Sequence, residues 1–105
     1  MIRRLVVTPE AQASLDRLAE SPADAARLKQ IKKVLGYMET DLRHPSLKTH
    51  EFTSLKGPKG EKVFEAYAQN QTPGAYRVFF FYGPDAQAGG KRVAVLTVLA
   101  IAPHS

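Results

Sequence analysis

Residues 62–82, KVFEAYAQNQTPGAYRVFFFY, constrain the fold more than any other stretch. Their apolar positions alternate on both sides of a Pro73-Gly74 turn signal, which reads as two antiparallel strands. With a loop at 70–74, Gln69 lies opposite Ala75, and the pairing continues through Tyr67 with Arg77, Ala66 with Val78, Glu65 with Phe79 and Phe64 with Phe80. Side chains alternate along a strand, so Phe64, Ala66, Ala68, Tyr76, Val78 and Phe80 form one apolar face suited to a cover of helices. The other face carries Glu65, Tyr67 and Arg77 among Val63, Phe79 and Phe81. An arginine, a carboxylate and a phenol grouped on the less covered face of a sheet mark a candidate site.

The rest of the chain supplies that cover. Residues 2–7 (IRRLVV) are a short β-branched run, expected as an edge strand with Arg3 or Arg4 turned to solvent. Thr8-Pro9-Glu10 then starts a helix, with Thr8 as N-cap and an acid in the first turn, ending near Glu20. Ser21-Pro22-Ala23-Asp24 repeats the start signal with the spacing of a capping box. Leu28, Ile31, Leu35, Met38 and Leu42 follow at spacings of three and four, so the second helix buries one stripe and pairs with the first as a hairpin. Gly36 interrupts this helix without an evident reason in the sequence.

Residues 43–60 keep no period, and Pro45, Gly57, Pro58 and Gly60 break any regular element, so this stretch is expected as a long basic loop carrying Arg43, Lys48, Lys56 and Lys59. Leu47, Phe52 and Leu55 are expected to pin it to the body. Residues 83–90 read as a flexible connection, and 91–103 as an interior strand apolar on both faces. The order is therefore β-α-α-β-β-β in a single domain spanning 1–105, an α+β arrangement with a helical hairpin on one face of an antiparallel sheet. Along that sheet the last strand ends beside the start of the middle one, which brings His104 near Arg77 and Tyr67.

Composition narrows the chemistry. The chain has no cysteine, which excludes a disulfide framework, a thiolate nucleophile and a cysteine zinc site. His44 and His50 read as loop residues whose spacing makes no metal site. Fifteen Lys and Arg against ten Asp and Glu leave a net charge of +5, which favours polyanions or an acidic partner. The apolar run after Met1 stops at Thr8-Pro9, too short for a signal peptide, and no stretch reaches the length of a membrane span, so a cytoplasmic protein is expected.

The element order, Leu55-Lys56-Gly57 before the second strand, Phe64-Glu65 within it, Tyr76-Arg77-Val78 opening the third and a final apolar strand closing on Pro103-His104 resemble the RelE/ParE toxin superfamily of bacterial toxin-antitoxin systems. The likeness covers nearly the whole chain and rests on the order and spacing of short motifs. It implies a toxin held inactive by a cognate acidic antitoxin. In the RelE-like and YoeB-like branch such toxins cut mRNA, commonly on the ribosome and without a metal or other cofactor; ParE-like members instead inhibit DNA gyrase. By resemblance Arg77 matches the strand arginine that faces the scissile phosphate, and His104 the near-terminal histidine of the YoeB-like branch. Tyr67 stands where the family often has arginine, Glu51 is offset from the expected glutamate, and the chain stops at Ser105 without the aromatic or basic tail of several nucleases.

RNA cleavage by its own 2′-hydroxyl needs a base near that oxygen, positive charge on the phosphorane and an acid for the leaving 5′-oxygen. Arg77 is the candidate for the charge, with a structural pair to Glu65 or to a backbone carbonyl as the alternative. His104 is the candidate proton shuttle, and Glu65 and Glu51 are candidate acceptors. Lys48, Lys56 and Lys59 are candidates to hold the RNA backbone, and Tyr67 stacks a base, donates its hydroxyl or packs on Phe79.

Overall fold

A computed structural model, describing residues 3–68 and 75–103, pairs strand β3 (Lys62–Tyr67) with β4 (Tyr76–Tyr82) in the register that the alternation sets: Phe64 with Phe80, Glu65 with Phe79, Ala66 with Val78 and Tyr67 with Arg77. The loop at 70–74 and the Gln69 to Ala75 pair lie outside the described residues. Around this hairpin the sheet runs β1 (Arg4–Val7), β7 (Val95–Pro103), β4, β3, β2 (His50–Lys56). The fold is α+β, with two helices packed on a mostly antiparallel sheet. The exception is β1, which pairs β7 in parallel, Leu5 beside Leu96, where an antiparallel edge strand was expected. The chain reaches this geometry by passing through both helices between β1 and the rest of the sheet.

Helix α1 (Pro9–Ala19) begins as its sequence dictates. The Thr8 hydroxyl accepts from the Ala11 backbone N–H and donates to the Leu99 carbonyl at 3.0 Å, so one side chain caps the helix and ties it to β7. The expected capping box of the second helix does not form. A 3-10 turn, Pro22–Asp24, precedes α2 (Ala25–Thr40), and the Asp24 carboxylate turns to Arg27 at 2.6 Å instead of to the helix backbone. Ile31, Val34 and Met38 are the buried stripe of α2, with Leu28 and Leu35 at its margins; Leu42, expected on the helix, lies past its end and packs against the same core. They pack with Ala11 and Leu18 on Ala66, Val78, Phe80, Leu96, Val98 and Ile101 of the sheet, the apolar face expected from strand alternation.

The stretch 43–60 is not a loop. After a 3-10 turn, Pro45–Leu47, whose Leu47 is fully buried, it forms edge strand β2, which joins β3 at His50 opposite Glu65 and at Lys56 opposite Lys62. Between the pairs Glu51 to Phe64 and Lys56 to Lys62, four residues of β2 face one residue of β3, Val63. This bulge swings Phe52 out of the ladder, so its ring edge meets Phe79 at 5.0 Å on the face away from the helices. Leu55, expected to pin the segment, is exposed.

The stretch 83–90 is likewise more ordered than expected. Strand β5 (Ala86–Ala88) pairs with β6 (Lys91–Val93) as a separate two-stranded hairpin, so the apolar strand begins only at Val95. Among the described residues no helix is long and apolar enough to cross a membrane.

Candidate functional site

The face opposite the helices gathers its polar groups at one end of the hairpin. Glu65 and Arg77 are neighbours on adjacent strands, and Arg77 donates from Nη1 to Glu65 Oε1 at 3.0 Å. Both are buried, 2% and 6% exposed. The arginine is thus on the expected face but does not stand open to solvent. Phe52 closes over the neighbouring Phe79, and Tyr67 lies under the guanidinium, with the Arg77 Cζ 4.1 Å from its ring centroid. That cation-π contact occupies the phenol ring, while the ring neighbour of Phe79 is Phe52.

The histidine that this structure brings to the cluster is His50, which the sequence reading put in a loop. Its Nε2 lies 2.8 Å from Glu65 Oε1, its ring centroid lies 5.6 Å from that of Tyr67, and its side chain is 46% exposed. Its Nδ1 lies 3.0 Å from the Lys48 carbonyl oxygen. A carbonyl oxygen only accepts, so that contact is a hydrogen bond with the ring proton on Nδ1. The neutral ring that keeps its Nδ1 bond to Lys48 turns a lone pair toward Glu65. Glu65 Oε1 therefore holds Arg77 on one side and His50 on the other, while Glu65 Oε2 and Arg77 Nε are buried without a hydrogen-bond partner among the described residues.

The remaining candidates separate. His104 lies outside the described residues; Ala102 stands beside Arg77 and Pro103 beside Tyr76, which is the juxtaposition of strand ends that the topology required. Glu51 is exposed and pairs with Phe64, whose side chain is on the helical side, so alternation turns it away from Glu65. Lys56 and Lys59 are exposed at the β2–β3 turn, about 10 Å along β3 from Glu65 at the usual strand rise. Lys48 is exposed and adjoins the cluster through the carbonyl that holds His50. Among the described residues no three of His, Cys, Asp and Glu lie together as a metal ion requires.

The sequence does carry a signal for His50. Phe52-Thr53, an aromatic followed by a β-branched residue, lie two positions past His50 in a stretch bracketed by Pro45 and Gly57, and such punctuation delimits a strand as readily as a loop. The site is then a surface imidazole clamped between a backbone carbonyl and a buried carboxylate, which a buried arginine and a phenol hold in place. Comparisons of the chain with family models, with curated proteins and with solved structures gave no match.

Proposed function

We propose that this chain is a RelE/ParE-like toxin of a toxin-antitoxin pair and acts as an endoribonuclease, cleaving RNA by attack of the 2′-hydroxyl on the adjacent phosphate. The observation that carries this reading is His50, exposed to substrate and backed by Glu65. For this the half-exposed ring turns its Nε2 out from Glu65 to accept the 2′-hydroxyl proton, and the carboxylate beside it stabilises the imidazolium that results. The same proton then passes to the leaving 5′-oxygen as the P–O5′ bond breaks and a 2′,3′-cyclic phosphate forms. Arg77 is a positioning residue in this scheme: buried, it fixes the Glu65 carboxylate that orients His50. Tyr67 offers its edge to a base.

Incubation of the protein with mRNA, with and without translating ribosomes, tests this. Wild type should leave 2′,3′-cyclic phosphate ends, and His50→Asn should slow cleavage at least about a hundredfold, the usual contribution of a positioned acid or base. Undiminished cleavage by His50→Asn removes the mechanism.

One observation favours a second reading. Arg77 is sealed in its pair with Glu65, which suits a ParE-like toxin that docks on DNA gyrase, or a relative that only binds an antitoxin. Inhibition of supercoiling with RNA left intact would select it.

A further inference from the structure

We propose that the cleft between β1, the segment joining α2 to β2 and the end of β4 is a second nucleotide subsite for single-stranded RNA, taking a phosphate on Arg3, Arg43 and Lys48 and a base on Tyr82. This rests on the reading of the chain as acting on RNA and extends it to a site away from the His50–Glu65 pair.

The cleft has a volume of about 470 Å³ and no acidic residue among those that line it. None of its three cations is ion-paired among the described residues. Unpaired cations around one concave space concentrate positive potential there, which an anion relieves. Its aromatic wall is equally distinctive. Tyr82 is 45% exposed, at the end of a strand whose preceding residues, 77–81, are all buried. The Arg3 guanidinium lies 5.3 Å over its ring, and Phe64 braces it edge-on at 5.4 Å. Across the cleft His44 is stacked on Tyr37 at 3.9 Å, which makes that wall rigid. Planar surfaces beside unpaired cations match a nucleotide, whose base stacks while its phosphate is held, and a base is free to stack only in an unpaired strand.

Lys48 joins the cleft to the catalytic histidine. Lys48 lines the cleft, and its carbonyl accepts from His50 Nδ1. Its backbone is left-handed, φ 46°, the only non-glycine with positive φ among the described residues. An RNA strand bound in the cleft would therefore pass the start of β2 and meet His50 on the other side of the sheet edge.

The experiment is fluorescence anisotropy of a short labelled single-stranded RNA with the full chain, in a His50→Asn background that keeps the RNA whole. Arg43→Ala and Tyr82→Leu should each weaken binding about tenfold. Lys48→Gly, which suits the left-handed backbone better than lysine does, should weaken it as well without loss of fold. The two cation variants should each lower the dependence of log K on log salt by about one, and Tyr82→Leu should leave that slope unchanged while abolishing preference for single over double strands. In the cleaving protein, Arg43→Ala and Tyr82→Leu should raise KM and spare kcat. Wild-type affinity in both variants overturns the subsite even if the chain cleaves RNA. Lost affinity in a chain that cleaves no RNA upholds the subsite and removes the nuclease. Loss confined to an acidic protein partner, with RNA affinity intact, also overturns it.

Discussion

A carboxylate and a guanidinium under the surface are costly to desolvate, and their attraction returns that cost only when every donor and acceptor is used. Glu65 and Arg77 fall short of this, since Glu65 Oε2 and Arg77 Nε are buried without partners among the described residues. The pair therefore holds geometry rather than adding much net stability. Arg77→Met should destabilise the protein by about 3–5 kcal/mol in urea unfolding, because the buried carboxylate is left with a half-exposed histidine alone. The double change Glu65→Leu with Arg77→Met should recover most of that loss and abolish the anchoring of His50. If Arg77→Met proves neutral, the guanidinium is not structural and is free to serve a ligand.

Two glycines show how elements differ in what they require of one residue type. Gly36 sits on the exposed side of α2 with open space where a Cβ would lie, so Gly36→Ala should stabilise by about 1 kcal/mol. Gly57 is buried at the β2–β3 turn, where its N–H donates to the Glu61 carbonyl at 2.9 Å and the Glu61 side chain occupies the Cβ position. Gly57→Ala should cost about 1–3 kcal/mol by overpacking. Thermal unfolding of the two variants should move the midpoint in opposite directions. The glycine of the Leu55-Lys56-Gly57 phrase is thus explained by packing against Glu61. The β3–β4 hairpin was legible because a period of two and a Pro-Gly signal agree, and the faces of Glu65, Tyr67 and Arg77 followed from it. Strand β2 was not legible: its bulge erases alternation, its start follows a proline turn, and the histidine it delivers went unrecognised with it. The missing capping box has a comparable cause, since Asp24 has a competing partner three residues on, in Arg27.

At the scale of the molecule, the sheet presents two rims of different kinds. One is β1, four residues long and paired in parallel; the other is β2, whose ladder to β3 is interrupted between Glu51 and Lys56. A continuous row of free N–H and C=O groups invites a strand from another copy, and neither rim offers one of any length. Deleting three residues between Glu51 and Lys56 would give β2 and β3 equal numbers of residues between their paired positions and straighten the rim. That variant should form larger species with rising concentration in light scattering, where the parent protein stays unchanged. The kink that lowers Phe52 onto Phe79 therefore has a second effect at the opposite limit of size: it guards the chain against stacking into fibres, a hazard for any small protein built on an open sheet.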